Sequence, residues 1–292
     1  MGEAAALASA FLWSGTSVAM AALSVRLPPL VLGAWRLAAA SAIIPVILLF
    51  TSASDDFARA SWAAIGFMCL SGILANGIGD TIYVGSLSRL GVQRAFTITM
   101  TLFISLTVIG GVALLGEELR WLQGVGTLFV AAGIWLLARA RTQSAGSPRA
   151  DWRGYALVVV TAVLWASATL LLAGQRDELG AIAASAIRTP ASAIVVIGLA
   201  AVVTSPSQLA APLRNPKQLA VLVVIGALGT AIGSMLYVYG VAEIGAARAT
   251  VLSATAPLMA MPLSILVLRE RFTAAAAIGT VLSVAGIALV VV

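Results

Sequence analysis

The feature that most constrains this chain is a series of apolar runs, each long enough to cross a lipid bilayer. A transmembrane helix needs about 20 mainly apolar residues. We find ten such runs, at residues 4–23, 30–50, 62–87, 95–115, 121–138, 154–173, 181–203, 218–241, 249–268 and 274–292. Backbone N–H and C=O groups in lipid must be paired within their own segment, so the runs are predicted to be α-helices. The expected fold class is an all-α polytopic membrane protein.

Composition excludes most soluble functions. Hydrophobic residues make up 61% of the 292 residues and charged residues 10%, whereas soluble domains have about 45–50% and about 25%. There is no histidine and one cysteine, Cys69, so an internal disulfide is excluded and a Cys/His metal site is not expected. No phosphate-binding loop is present, which argues against ATP as an energy source. Without histidine or a second deep aspartate we expect neither an enzyme nor a cofactor.

The second half of the sequence repeats the first. The matching residues keep their order along the chain: Trp13 with Trp165, Arg36 with Arg188, Tyr83 with Tyr237, and Glu117 with Glu270. Each half holds five runs, so the second half must enter the membrane from the opposite side. This predicts two inverted repeats, at residues 1–138 and 154–292, joined by a linker loop at 139–153. Inverted repeats are typical of secondary transporters, whose substrate site lies near the bilayer midplane between the repeats.

The repeated residues also carry a resemblance to a known family. They are Leu12-Trp13-Ser14-Gly15, Trp35-Arg36-Leu37, Leu115-Gly116-Glu117, Ile187-Arg188, Ala256-Pro257-Leu258 and Glu270. With these motifs, over essentially its whole length, the chain resembles the EamA-type ten-helix permeases of the drug/metabolite transporter superfamily, and most of all the YddG-type amino-acid exporters. Phe103 departs from the pattern, because its counterpart in the second half is Pro257. The resemblance implies amino-acid export through a ten-helix membrane fold.

One acidic residue, Asp80, lies deep inside a predicted span, where a carboxylate is costly and by default a functional candidate. Asn76, Asp80 and Tyr83 are spaced to share one helical face. The matching positions of the second half are Thr230, Ser234 and Tyr237. We expect both stripes to line a central cavity that takes a small zwitterion. Interhelical hydrogen bonds are the alternative role.

Aromatic and hydroxyl side chains extend this predicted lining. Trp13 and Trp165 lie mid-span, too deep for interface anchors, so they are expected either to contact substrate or to pack helices together. The remaining predicted substrate-binding residues carry hydroxyl groups: Thr16, Thr99, Thr169 and Ser253. Because hydroxyls form hydrogen bonds without charge, this lining favours neutral or zwitterionic substrates.

Two arginines and several turn or kink residues complete the candidates. Arg36 and Arg188 lie inside their spans and are expected mainly to be structural, pairing with Asp80 or with backbone carbonyls; binding a substrate carboxylate is the alternative. Pro257 and Pro262 are expected to kink the ninth span, as gating points or simply in packing. Glu117 and Glu270 are expected to cap helices of their own halves.

These patterns together predict a secondary transporter. We expect a monomeric exporter or facilitator of amino acids, including aromatic and other neutral ones, or of related small metabolites. It would act by alternating access in a bacterial-type inner membrane, with the substrate and lipid as its partners and no nucleic acid. The alternatives are a proton-coupled drug or nucleotide/sugar-type permease and a passive channel. Arginine distribution places the termini outside the cytoplasm, whereas the resemblance implies cytoplasmic termini.

Overall fold

The computed structural model describes residues 1–24, 26–51, 53, 56, 59–90, 92–141, 152–256, 259 and 274–291. Pro257, Pro262, Glu270 and most of the predicted 139–153 linker lie outside the described residues. Within the described part, all regular secondary structure is helical. The prediction of an all-α fold is therefore confirmed for these residues.

The first half contributes five helices, whose apolar runs begin and end close to the predicted bounds. They are α1 (Gly2–Ser24), α2 (Pro29–Leu49), α3, α4 (Val92–Leu115) and α5 (Trp121–Arg141). Helix α3 has three parts: an α-helical part at Trp62–Gly72, a π-helical part at Ile73–Gly79 and a second α-helical part at Asp80–Leu90. Ser61 caps its start, since the Ser61 hydroxyl accepts the Ala64 N–H at 3.1 Å.

The second half repeats this arrangement, including the π-helical interruption. Its helices are α6 (Trp152–Ala173), α7 (Ala181–Val203), α8, α9 (Ala246–Ser253) and α10 (Ala274–Val291). Helix α8 consists of Pro216–Val224, a π-helical part at Ile225–Gly233, and Ser234–Ile244. Two short helical segments, Pro206–Leu209 and Ala211–Arg214, lie between α7 and α8.

Seven of the described helices are long and apolar enough to span a membrane by length and composition: α1, α2, α3, α4, α6, α7 and α8. Helices α5 and α10 contain shorter apolar stretches, Trp121–Leu136 and Val281–Val291. Trp62, Trp121 and Trp152 each begin a helix and are largely exposed, as expected of aromatic anchors at a membrane–water interface. The chain is a multi-pass membrane protein.

Helices of one half pack mainly on helices of the other. Helix α2 packs on α7, α5 on α10, α4 on α6, α1 on α8, and α3 on α6. Glycines allow close contacts between these helices. A Cβ on Gly72 would lie within 3.0 Å of backbone atoms of Arg188, and a Cβ on Gly226 would lie within 3.0 Å of the Arg36 carbonyl oxygen. The matching glycines of α3 and α8 therefore bring matching arginines of α7 and α2 to the centre of the bundle.

Glu117 caps a helix, but in the opposite half from the one predicted. Its Oε1 accepts the Ala246 N–H at 2.6 Å and its Oε2 accepts the Ala247 N–H at 2.9 Å. These are the first residues of α9, where N–H groups lack intrahelical partners and a carboxylate is favoured. The prediction of a cap within its own half was wrong because α4 packs against α9, which places the end of α4 at the start of α9.

Candidate functional site: a central cavity

A cavity of about 120 Å³ lies at the centre of the helices. Helices α1, α2, α3, α4, α6, α7, α8 and α9 all contribute to its wall, along with Ala256 just after α9. Every predicted binding residue except Thr99 lines it: Trp13, Thr16, Asn76, Asp80, Tyr83, Trp165, Thr169, Ser234, Tyr237 and Ser253. The structure thus brings together residues that the sequence grouped only by helical spacing and internal repetition.

Two aromatic pairs with nearly identical geometry flank the cavity. Trp13 and Tyr237 have ring centroids 5.3 Å apart with a 45° interplanar angle. Trp165 and Tyr83 have ring centroids 5.3 Å apart at 47°. Each pair joins a tryptophan of one half to a tyrosine of the other, and such tilted pairs hold each other in place by about 0.5–1.5 kcal/mol beyond simple burial. The two pairs of rings therefore form two aromatic walls of the cavity.

A buried ion pair closes one side of the cavity. Arg36 Nη1 lies 2.7 Å from Asp80 Oδ2 and also donates to the Thr230 hydroxyl at 3.1 Å, while Nη2 donates to the Asn76 carbonyl at 3.1 Å. Both predicted alternatives for Arg36, pairing with Asp80 and bonding a backbone carbonyl, are therefore realised together. The Arg36 side chain is 7% exposed and that of Asp80 18%, so the carboxylate keeps some contact with the cavity.

The π-helical parts of α3 and α8 provide acceptors for these contacts. Asn76, whose carbonyl binds Arg36, lies in the first of them, and Thr230 in the second. The Trp13 indole N–H donates to the Gly229 carbonyl, also in the second, at 3.0 Å. Wider π turns shift the usual backbone hydrogen bonds and recur at functional sites. The sequence showed only clusters of glycine at these places, which did not predict a change of helix type.

Hydroxyl groups form a second cluster beside Tyr237. The Tyr237 hydroxyl lies 2.9 Å from the Thr169 hydroxyl and 2.9 Å from that of Thr250. The Ser253 hydroxyl lies 3.1 Å from that of Ser9 and donates to the Ala6 carbonyl at 3.2 Å. The Asn76 amide donates to the Ser234 hydroxyl at a long 3.5 Å. Apart from its two arginines and Asp80, the polar side chains that line the cavity are therefore uncharged.

Arg188 lines the cavity without the contacts that its counterpart makes. It is 3% exposed, and its Nε and Nη1 have no hydrogen-bond partner among the described residues. Asp80, which neutralises Arg36, has Ser234 as its counterpart in the second half, so no carboxylate faces Arg188 from that position. The predicted pairing is therefore found for Arg36 and not for Arg188 within the described part of the chain.

The groups that line this site are aromatic, hydroxyl, amide and charged side chains. Among the residues that the structure describes, no three His, Cys, Asp or Glu side chains come together to hold a metal ion. What remains is a small cavity with aromatic walls, hydroxyl and amide groups, one ion pair and one further guanidinium. Such an arrangement can bind and orient a small molecule that has both polar and apolar parts.

Comparison with known families agrees with this architecture. The model of the EamA-like transporter family matches the chain twice, over residues 1–139 and 152–292. This chain belongs to that family. EamA-like proteins are membrane transporters of the drug/metabolite transporter superfamily. Membership of the family therefore implies a small-molecule substrate and a membrane environment.

A solved structure shows the same fold as this EamA-like protein. A crystal structure described only as that of a "protein" matches with a TM-score of 0.77 over 99% of this chain and 95% of its own, at 20% identity. That level of identity supports the shared fold alone. No curated protein gives a significant match.

Helix α4 is where the predicted and the observed lining of the EamA-like site differ. Thr99 is fully buried and does not line the cavity. Met100 and Phe103, three residues apart and so on one helical face, line it instead. Phe103 contacts Trp165 edge to face, with centroids 5.8 Å apart. Ser17 and Met20 also line the cavity, one turn apart on α1; their spacing from Trp13 and Thr16 is the signal that would have found them.

Proposed function

We propose that this EamA-like protein is a secondary transporter of amino acids, including aromatic and other neutral ones, or of closely related small metabolites. The observation that carries the proposal is the central cavity, with two matched tryptophan–tyrosine pairs and a rim of neutral hydroxyl and amide groups. A volume of about 120 Å³ is below the roughly 300–1,000 Å³ typical of sites for drug-sized ligands. The size favours a small metabolite over a drug or a nucleotide sugar.

Reciprocal contacts support alternating access between two inverted repeats. Trp13 contacts Tyr237 as Trp165 contacts Tyr83, and Gly226 lies against Arg36 as Gly72 lies against Arg188. A two-fold relation between the halves produces such pairs. With ten spans, five in each repeat, the two-fold axis lies in the membrane plane, and rocking one repeat against the other exposes the cavity to each side in turn.

The remaining features of the proposal follow from this plan. The repeats are residues 1–138 and 154–292, joined by 139–153, and one chain contains the whole pathway, so the monomer is the working unit. The membrane is a bacterial-type inner membrane.

Facilitated export or exchange is favoured over proton coupling, because Asp80, the acidic residue among the described cavity-lining groups, is held in an ion pair with Arg36.

The test of this proposal is transport of labelled amino acids by the purified protein in liposomes. We expect L-phenylalanine to enter without ATP, and entry to accelerate when unlabelled amino acid is present inside, because a carrier returns faster when loaded. Trp165→Ala and Tyr83→Ala should each lower the transport efficiency kcat/KM by about tenfold, the loss expected for one aromatic contact.

Exposed aromatic residues offer matched controls for these variants. Trp152 is 74% exposed and Tyr155 42%, and neither lines the cavity, so Trp152→Ala and Tyr155→Ala should transport at the wild-type rate. Normal transport by both cavity variants would refute the assignment of the cavity. Failure of every amino acid to move under any gradient would refute the proposed substrate class, and flux that internal substrate does not accelerate would indicate a channel.

A further inference from the structure

The charges that line the cavity do not balance. Among the lining residues the charged side chains are Arg36, Asp80 and Arg188. Arg36 and Asp80 neutralise each other at 2.7 Å, which leaves the guanidinium of Arg188 as an excess positive charge in the described wall. Uncompensated charge away from bulk water is costly and marks a functional site by default.

The backbone of Arg188 is held in place, while two N–H donors of its guanidinium have no hydrogen-bond partner among the described residues. The Ser192 hydroxyl donates to the Arg188 carbonyl at 2.7 Å, and Gly72 packs directly on the Arg188 backbone. The side chain is 3% exposed, yet Nε and Nη1 have no hydrogen-bond partner among the described residues. Burial, a fixed backbone and N–H donors without a partner suit an arginine that binds an anion.

The excess guanidinium and its neutral neighbours favour an anion with one negative charge. The cavity offers one excess guanidinium, and its other polar groups near the second-half wall are neutral: Thr169, Ser234, Tyr237 and Ser253. A carboxylate matches the planar fork of an arginine, and its single negative charge neutralises the single positive charge of the guanidinium. A phosphate group with a charge near −2 would leave a surplus negative charge in the same small space.

We propose that Arg188 anchors the carboxylate of the transported substrate. This inference rests on the proposed transport function and deepens it: the substrate class is small monocarboxylates, of which neutral amino acids are the zwitterionic members. The carboxylate supplies the counter-charge that Asp80 supplies to Arg36 in the other half. The two repeats therefore differ in function, with Arg36 in a permanent internal pair and Arg188 in a pair that forms and breaks in each transport cycle.

The test compares probes that differ in the carboxylate. L-Phenylalanine and 3-phenylpropanoate carry it, L-phenylalaninamide lacks it, and inorganic phosphate tests the other anion. Purified wild-type protein in detergent should gain thermal stability from the two carboxylates and not from the amide or phosphate. In Arg188→Gln this stabilisation should disappear and KM for L-phenylalanine should rise by about 10- to 100-fold, the range expected for a charge-assisted hydrogen-bonded pair. Arg188→Lys, which keeps the charge, should restore part of the affinity.

The unfolding temperature of Arg188→Gln without substrate distinguishes a substrate-binding role of Arg188 from a structural role. Because Arg188 is unpaired, Arg188→Gln should unfold at the same temperature as the wild type or higher, whereas removal of a structural arginine would lower it. Arg153, which is exposed at the start of α6, provides the matched control, and Arg153→Gln should behave as wild type.

Each outcome bears on one proposal or the other. If wild type transports L-phenylalanine and Arg188→Gln still discriminates against the amide equally well, the anchor is refuted and the transport function stands. If no amino acid is transported but 3-phenylpropanoate stabilises wild type and not Arg188→Gln, the amino-acid function is refuted and the anchor stands. Equal stabilisation by the amide, stabilisation by phosphate alone, or no stabilisation by either carboxylate would overturn the anchor.

Discussion

Arg36→Gln is expected to lower the thermal stability of the purified protein by roughly 6–12 °C. The substitution leaves the Asp80 carboxylate without its partner at 2.7 Å, and removing one member of a buried pair costs about 3–5 kcal/mol. Because Asp80 is 18% exposed, the loss should fall near the lower limit, and a protein of this size loses about 2–4 °C per kcal/mol. Asp80→Asn should have a similar effect, since it leaves Arg36 uncompensated. Thermal unfolding followed by tryptophan fluorescence measures both.

A double variant shows whether the cost arises from the pair. In Arg36→Gln with Asp80→Asn neither group is left as a lone charge, so most of the stability should return. The partly exposed pair Arg248–Glu3, at 3.3 Å with 26% and 28% exposure, serves as the comparison: Glu3→Gln should cost at most about 1 kcal/mol. A double variant that is destabilised by the sum of the two single effects would show that the pair does not act as a unit.

Alanine at Gly72 or Gly226 is expected to destabilise the helix bundle by about 2–3 kcal/mol. At both positions the added Cβ would lie within 3.0 Å of the backbone of an arginine on the neighbouring helix, and backbone yields less readily than a flexible side chain. Separating α3 from α7, or α8 from α2, also moves Arg188 or Arg36 away from the cavity. Transport should therefore fall by more than the loss of folded protein explains. Melting temperature and transport rate per folded molecule are the measurements.

Glycines that face open space provide the controls for this prediction. An added Cβ meets nothing within 4 Å at Gly66 on α3 or at Gly198 on α7. Gly66→Ala and Gly198→Ala should be neutral or slightly stabilising, because alanine is a better helix former than glycine by up to about 1 kcal/mol. Equal melting temperatures for Gly66→Ala and Gly72→Ala would contradict the close helix approach.

Features that depend on local pattern were predictable from the sequence. Apolar runs predicted the bounds of the described helices within a few residues, apart from the ninth run, most of which lies outside the described residues. The spacing of Asn76, Asp80 and Tyr83 on one helical face predicted three residues that line the cavity. Because tryptophan and tyrosine recur at matching positions of both halves, these residues were predicted to lie around a central cavity. These conclusions need only helical periodicity and the length of a bilayer.

Features that depend on a partner helix were not predictable. The rotation of α4 that buries Thr99 and turns Met100 towards the cavity is fixed by its packing on α6 and α9, which no single-helix pattern contains. Glu117 capping α9 depends on contact between the halves in the same way. Arg36 and Arg188 look equivalent in sequence, but Arg36 contacts Asp80, Thr230 and the Asn76 carbonyl. The residue that matches Asp80 in the second half is Ser234, which carries no charge.

Substrate is proposed to bind in the central cavity, and the single cysteine of the chain, Cys69, allows a direct measurement. In a Cys69→Ala background, Ala75→Cys places a thiol in the cavity wall, and Ser207→Cys places one on the exposed Pro206–Leu209 segment. Labelling rates with a water-soluble thiol reagent are compared in liposomes with and without saturating L-phenylalanine. We predict that L-phenylalanine slows labelling of the cavity variant and leaves the Ser207 variant unchanged. An unchanged rate in a cavity variant that still transports L-phenylalanine would contradict the account.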